Sequence, residues 1–454
     1  MNKFKITKGY NLQLKGSPNN ILDMIETEKV LIHPSSIKGI KSKLLVKEND
    51  DVKIGTPLFF DKKNPKVMFV SSASGKISKI DFGERRVVKS IEISVNDKAQ
   101  YENLSSEESL ETLSKSGLMS FIRQRPFSRN ANPDVLPKSI FVSAMPTAPY
   151  SIDYSFIYNV KNEYNEVGFR AHNANDHFKL HLQKGIDVLT KLTNSPLHIA
   201  SDGNNELILE LKNVTHSKFN KLHPAGNVGI QIHNIDPIKD ANDVVWYLSL
   251  QDLHRIGEFF NKGLYPNYKY YSIGGNVLNN PKYVKAMIGT PINTLLKDED
   301  VSETNRIISG DVLNGLTSSD TNALNYFDDV LSVIEEKKNR DFLGWLMPGL
   351  SKFSLSRTFL SKMINNSKSK YDTKINGSIR SIIPMGTWDK VLPMSIYPEF
   401  LVKNILAKDI DMMEKLGIYE CDPEDFSLCS LACQSKVEVS KIIEEGLELV
   451  EEEN

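Results

Sequence analysis

The chain is short of cysteine, of net charge and of long apolar runs, and each shortage removes a class of protein. Three cysteines in 454 residues, at 421, 429 and 433, make an odd and crowded set. That suits a reducing compartment better than a secreted disulfide scaffold. With 56 basic against 57 acidic residues the net charge is −1, so no overall field draws nucleic acid or repels a membrane, and any basic patch must be local. No apolar stretch reaches the roughly 18 residues needed to span a bilayer. The start, MNKFKITKGYNL, lacks an apolar core of signal-peptide type. No G-x-G-x-x-G follows a strand pattern and no P-loop occurs, which leaves nucleotide binding by a standard phosphate loop unsupported. What remains is a mixed α/β chain, expected to be cytoplasmic and long enough for about three separate cores.

Turn chemistry and periodicity divide it into five stretches. Residues 1–103 read as a β domain: between 44 and 95 short apolar strands are cut at Asn49-Asp50, Gly55 and Ser74-Gly75. The pattern V-x-x-G-x-P-L followed by S-x-x-S-G-x-I resembles the barrel-sandwich hybrid of biotinyl and lipoyl carriers. The hairpin tip there, Asp61-Lys62-Lys63-Asn64-Pro65, lacks the flanks that mark a modified lysine. Residues 104–256 read as a Rossmann-like α/β domain. Ser105-x-x-Glu108 opens a helix over 106–116. Strands are expected at 139–144, 168–173, 197–200, 207–211, 229–233 and 244–250, with a helix over 177–192. Residues 257–329 return to β, in a compact β-grasp (SLBB-like) pattern. Residues 330–380 form a basic, aromatic extended segment, and residues 381–454 a helical domain. In that last domain 398–416 reads as one helix ended by Gly417, and Ser435-x-x-Glu438 opens the final one.

Four features invite a chemical reading. Cys429-x3-Cys433 could close a C-x2-C-x2-C-x3-C-P cluster motif, in which four thiolates converge on one iron–sulfur cube. The first two positions, however, fall on Pro423 and Phe426, Cys421 lies two residues too early, and Gln434 replaces the proline. The residues favour a helical remnant with buried cysteines. His177 and His181 stand at i,i+4 with His172 nearby, yet no H-E-x-x-H motif accompanies them, so solvated or capping histidines are expected rather than a metal site. The stretch HPAGNVGIQIHNIDP, 223–237, is glycine-punctuated and fits either close approach to a ligand or a tight turn. Between Phe342 and Tyr371 there are five basic residues, among them Lys352, Arg357 and Lys362, no acidic one, and large apolar side chains including Trp345 and Phe353. Such a segment docks at a headgroup interface or on a membrane-embedded protein, or else is a surface hairpin whose aromatics pack inward. FIRQRPFSR, 121–129, has the same character on a smaller scale.

Taken in order, KGYNLQLKGSP, FFDKKNPKVMFVSSASGKI, FGERRVVKSI, FIRQRPFSR, HPAGNVGIQIHNIDP, GWLMPGLSKFSLSRTFLSK and EDFSLCSLACQSK resemble, end to end, the A subunits of the bacterial Na(+)-translocating NADH:quinone reductases. The resemblance implies a peripheral subunit on the cytoplasmic face of the inner membrane, docked on the membrane-embedded B subunit of a six-subunit pump. It implies no redox cofactor in this chain: FMN, FAD, riboflavin and iron–sulfur centres belong to other subunits, and ubiquinone is the substrate of the complex. The chain is also distantly similar to the C subunit of the Rnf complex and to the flavin-binding subunit of respiratory complex I. In those relatives a glycine-rich loop cradles FMN. The matching stretch here, Gly117 to Phe127, carries bulky Phe121, Ile122 and Arg123 where bare backbone would be needed. Their acidic positions before a proline correspond here to Pro146 and Ala148. His223 and Phe353 are the candidates for a quinone contact, and Trp345, Lys352, Arg357 and Lys362 those for docking. The alternative is an Rnf-type electron-transfer subunit carrying flavin or an iron–sulfur cluster, and a third reading is a lipoyl-type carrier modified at Lys62 or Lys63.

Overall fold

The computed structural model describes residues 1–159, 174–337, 346–350, 355, 360–361, 372–375 and 377–453. Two facing sheets form the first β module. One has strands Lys29–Ile32, Val88–Val95, Gly75–Phe82 and Asp51–Val52, the other Ser42–Leu44, Pro57–Asp61 and Asn64–Val70. Asn49 and Gly55 take φ values of 71° and 96° at the turns the sequence marked, a region open to glycine and tolerated by asparagine. Phe59 stacks on Phe69 between the sheets at 4.6 Å. The tip carrying Lys62 and Lys63 is tied down: Asp61 Oδ1 accepts from the N–H of Lys41 at 2.8 Å and of Lys63 at 3.1 Å, and the Asn64 amide donates to the Ala131 carbonyl. A carrier arm needs a free tip, and this one is bound to the next module.

Strands Asn2–Phe4, Thr215–Phe219, Leu197–Ser201, Ser139–Ser143 and Val245–Ser249 lie side by side and parallel, in that order. Arg123–Arg125 and Arg129–Asn130 add an antiparallel edge. From Ser139–Ser143 the chain steps outward to 197 and 215 and then returns to the other side at 245. The strand order therefore reverses at the centre of the sheet. Side chains alternate between two cores, as a strand period of two requires: Ile140, Val142 and Trp246 join the core shared with the first module, while Phe141, Val245 and Tyr247 join the core shared with the C-terminal helices.

Several expected elements differ. The stretches at 207–211 and 229–233, expected as strands, are the helices Glu206–Leu209 and Val228–Ile235. Both are short apolar runs, which periodicity alone cannot assign. For the first, the Asn205 side chain accepts from the Leu207 N–H and starts a helical turn. The expected strand at 168–173 lies outside the described residues. The helix expected over 106–116 spans Leu110–Lys115, with Ser109 rather than Ser105 capping the Thr112 N–H at 3.0 Å. Glu108 is drawn away to Lys184 and Lys191 instead of closing a capping box. Residues 398–416 break into Pro398–Ala407 and Ile410–Lys415, because Lys408 turns left-handed at φ 56° and Asp409 caps a new helix. Ser435 caps nothing: it donates to the Ser381 carbonyl, and the last helix runs Val439–Glu453.

A six-stranded sheet, Leu316–Ser318, Asn305–Ser309, Val330–Glu335, Tyr268–Gly274, Lys282–Met287 and Leu22–Ile25, completes the β structure, with the short helix Ile292–Leu295 against it. Residues 2–4 and 22–25 thus thread into the second and third sheets rather than the first module.

Candidate ligand crevice at the carboxyl ends of the parallel strands

Where the order of a parallel sheet reverses, the loops leaving the carboxyl ends of the strands diverge and leave a crevice. A crevice of about 370 Å³ opens beside that point, over the carboxyl ends of the strands at 139–143, 197–201 and 215–219. The loop 144–155 forms one wall. Ser201, Asp202 and Asn205 enter from the next strand, Lys221 from the third, and Asn11, Leu12 and Tyr283 from the facing side. Tyr150, with φ 62°, is locked in the wall by donating to the Lys15 carbonyl at 2.7 Å.

The charges in this crevice are opposed to a phosphate. Asp153 turns its Oδ1 onto the N–H groups of Ser155 and Phe156, at 2.9 and 3.3 Å, so those donors already have an acceptor. Lys221 is committed to Asp202 at 2.8 Å. Burial favours the neutral acid at Asp202, but the Lys221 ammonium and the Asn204 N–H outweigh it and hold the carboxyl below its usual range. Two carboxylates against one ammonium leave the crevice net negative, and its other polar groups are hydroxyls and amides. It suits a neutral ligand.

His223 stands directly behind this wall. It is buried, and its Nδ1 lies 3.1 Å from Thr147 Oγ1, which also accepts the Gly226 N–H at 3.0 Å. With one proton and two lone pairs, that hydroxyl accepts from a protonated Nδ1 as readily as it donates to a bare one. Nε2 has no protein partner. Burial lowers the His223 pKa to about 4, so the ring is neutral at pH 7. Thr147, not His223, faces the crevice.

The remaining sequence candidates divide in two. Phe353, Trp345, Lys352, Arg357 and Lys362 lie outside the described residues. The segment 121–129, grouped in sequence with the docking run, is interior, which corrects that reading. Phe121 is stacked on Tyr326 at 4.8 Å with the Arg255 guanidinium 4.1 Å from its ring. Arg125 is 1% exposed and faces Asp422, Glu424 and Asp425 at 3.2, 3.0 and 3.8 Å. Gly117 has Val70 pressed against it, and the N–H groups of Phe121 and Ile122 bond the carbonyls of Leu118 and Met119. The stretch that would cradle a flavin phosphate is filled by its own side chains. Sequence reasoning does not find Arg125 as a structural centre; its run of alternating basic residues reads as surface until the acidic cluster 422–425 is known to fold onto it.

The cysteines are equally enclosed. Cys421, Cys429 and Cys433 are unpaired and buried. Cys421 donates to the Gly417 carbonyl, Cys429 lies 3.9 Å from the Trp388 carbonyl, and Cys433 accepts the Val437 N–H. Burial pushes the Cys421 and Cys429 thiols up, and Phe426 is fully buried. A thiol reagent at pH 8 is therefore expected to leave both unmodified in the folded chain and to titrate all three in urea; rapid reaction of the native protein would contradict this packing. His177 and His181 meet at 3.2 Å between their Nε2 atoms and His181 also bonds Asn261. Among the described residues no group of three His, Cys, Asp or Glu is arranged to hold a metal.

Burial lowers the pKa of His181 and His223 to about 4 and of His254 to about 3. All three stay neutral in the fold while the unfolded chain takes up protons near pH 6.5. Between pH 6.5 and 4 the unfolded state binds more protons, so stability falls as pH falls. Urea titrations at pH 7 and pH 5 should show a lower midpoint at pH 5. The difference should shrink in His181→Gln/His254→Gln, and an unchanged midpoint would contradict neutral burial.

The same geometry meets known sequences in three places. Residues 4–96 match the family description "NqrA N-terminal barrel-sandwich hybrid domain", 104–265 "NqrA second alpha/beta domain", and 272–320 "NQRA C-terminal domain". The A subunit of the Na(+)-translocating NADH-quinone reductase of Neisseria meningitidis serogroup B is 35% identical, with 99% of each chain aligned. The chain belongs to the NqrA family. Proteins of the same name from Yersinia pestis and Photorhabdus laumondii subsp. laumondii are 34% and 33% identical over the same span. An NAD+-reducing [NiFe]-hydrogenase chain overlays with a TM-score of 0.31 at 9% identity, covering 45% of this chain and 41% of that one, too loose a likeness to inform the site. The family places a barrel-sandwich hybrid first and an α/β domain second, in agreement with the strand pattern and the sheets described above. No helix among the described residues is long and apolar enough to cross a membrane.

Proposed function

We propose that the chain is the peripheral NqrA subunit of the Na(+)-translocating NADH:ubiquinone oxidoreductase, supporting quinone reduction coupled to Na+ export without a redox cofactor of its own. It sits on the membrane-embedded B subunit, at the cytoplasmic face, in a six-subunit pump whose other subunits hold the flavins and iron–sulfur centres. Its second and third domains are Rossmann-like and β-grasp in type. The observation that carries this reading is the crevice at the carboxyl ends of the parallel strands: it holds neither a phosphate cradle nor a free cation among its described lining residues. The filled loop at Gly117 and the enclosed cysteines agree with it.

A neutral aromatic headgroup whose carbonyls accept hydrogen bonds fits such a crevice better than FMN or NADH. Thr147, hydrogen-bonded to the neutral His223, lines the crevice beside the hydroxyls of Ser151 and Tyr154. Filling the crevice with Ala148→Trp should raise the quinone KM of the intact complex by on the order of tenfold, equivalent to about 1.4 kcal/mol, and leave NADH oxidation by an artificial electron acceptor unchanged. A photoreactive quinone analogue that labels only other subunits of the complex would remove the quinone contact from this one. Charge reversal at Lys352, Arg357 and Lys362 should weaken attachment to the membrane-embedded subunits without unfolding the chain. Undiminished co-purification of that triple variant would make the segment ordinary surface.

A further inference from the structure

The crevice wall carries a backbone outlier. Ala148, Pro149, Tyr150 and Ser151 form a turn closed by the Ser151 N–H on the Ala148 carbonyl at 3.3 Å, with Tyr150 in its third place at φ 62°. After a proline that left-handed place belongs to glycine or asparagine, and a bulky aromatic there is uncommon. Such a conformation persists only where the surroundings fix it. Here they do so from three sides. The Tyr150 hydroxyl donates to the Lys15 carbonyl at 2.7 Å, and the Ser272 hydroxyl donates to the Tyr150 carbonyl. The ring packs against Leu14 and Val330. It also lies over Gly274, where a Cβ would stand 2.6 Å from the ring's Cγ, so the seat exists because residue 274 has no side chain.

These anchors join the two sides of the crevice. The loop that holds Tyr150 lines one side, and Leu14, Ser17 and Pro18 line the other. Lys15, which receives the hydroxyl, lies between them in the chain. That second side is itself tied to the end of strand Tyr268–Gly274: the Gly275 N–H donates to the Gly16 carbonyl at 2.8 Å. Gly16, at φ 84°, leaves no space for a Cβ, which would meet the Gly275 carbonyl oxygen at 1.9 Å. Both sides therefore take their position from one strand end of the six-stranded sheet, and the Tyr150 side chain spans them. We propose that Tyr150 is a positioning residue that sets the width of the crevice and so selects the size of the flat, uncharged ring it admits. This rests on the reading of the crevice as the site of the quinone headgroup.

The test uses the intact complex and two water-soluble quinones, a one-ring dimethoxybenzoquinone and a two-ring naphthoquinone with the same short tail. Tyr150→Phe keeps the ring and removes its hydrogen bond to Lys15. Gly274→Ala pushes the ring out of its seat. The quantity read is kcat/KM for the two-ring quinone divided by kcat/KM for the one-ring quinone. Tyr150→Phe should raise this ratio about fivefold, the scale of one hydrogen bond, and Gly274→Ala at least as far. A wild-type ratio in both variants would overturn the proposal, even with kcat/KM lowered for each quinone, because a merely structural tyrosine lowers both alike. Ala148→Trp separates the two claims. If it raises the quinone KM while the other two variants keep the wild-type ratio, the crevice stands and the selecting role of Tyr150 falls. If it leaves the quinone KM unchanged, the crevice reading fails, and this proposal with it.

Discussion

Arg125→Met will lower the free energy of unfolding of the module it holds by about 3–5 kcal/mol, the usual cost of stripping one partner from a buried ion pair. The arginine sits on the strand Arg123–Arg125, where it pairs with Val245 and Arg123 pairs with Tyr247. Burial disfavours its charge, but Asp422, Tyr247, Asp425 and Glu424 more than offset that and raise its pKa further above the arginine range. Remove the guanidinium and Asp422 and Asp425 remain together in the interior, with Glu424 at its edge, its side chain 32% exposed. Asp425 already shows the strain of that position, with its carboxyl pushed well up by burial and then by Glu424 and Asp422 despite Arg125. Asp422 is the best compensated, through Arg125 and the Ser128 hydroxyl. Arg125→Lys should recover only part of the loss, because an ammonium cannot reach three carboxylates with a planar fork. Urea unfolding followed by the fluorescence of buried Trp388 and Trp246 will show the C-terminal helices leaving first, at a lower midpoint. A midpoint equal to wild type would mean that the cluster does not join the helices to the sheet.

The second large effect is expected at Gly257. Helices Ala174–Thr193 and Leu250–Lys262 cross so closely that a Cβ on Gly257 would sit 1.8 Å from the His181 carbonyl oxygen and 2.7 Å from the Gly185 nitrogen. Gly185 is placed reciprocally, its Cβ position 2.4 Å from the Leu253 carbonyl oxygen. The obstacles are backbone atoms, so no rotamer change can relieve them, and the helices must part. Gly257→Val should cost about 3 kcal/mol or more, at the upper end of overpacking in a close-packed interior. It should also loosen the contact of His254 and Phe178, whose rings lie 5.0 Å apart between the helices. Thermal unfolding of the purified variant measures the loss, and a melting curve superimposable on wild type would mean that the helices do not cross here.

Much of the architecture was legible because it rests on local rules. The turns at Asn49 and Gly55, the parallel strands at 139, 197 and 245, and the apolar stripe Val439, Ile443, Leu447 and Val450 of the last helix follow from turn chemistry and from periods of two and 3.6. Val228–Ile235 was not legible as a helix, because every residue from Val228 to Ile232 is buried and a segment buried all round carries no amphipathic signal. The site was harder still. His223 could be singled out as a glycine-flanked histidine, but its hydrogen-bond partner, Thr147, is 76 residues away. Arg125 draws its meaning from carboxylates almost 300 residues later, a relation that only the fold creates. The cysteines were readable because their defect is local: Pro423 and Phe426 occupy positions that would have to be thiolates.

At the centre of this proposal stands a nucleotide-type fold kept without its redox group. The most direct measurement is the visible absorbance spectrum of the isolated, anaerobically purified chain, with flavin and iron determined on the same sample. A colourless protein is expected, with neither flavin nor iron above background. Stoichiometric flavin or iron would contradict the readings of 117–127 and 421–433 and support the Rnf-type electron carrier instead.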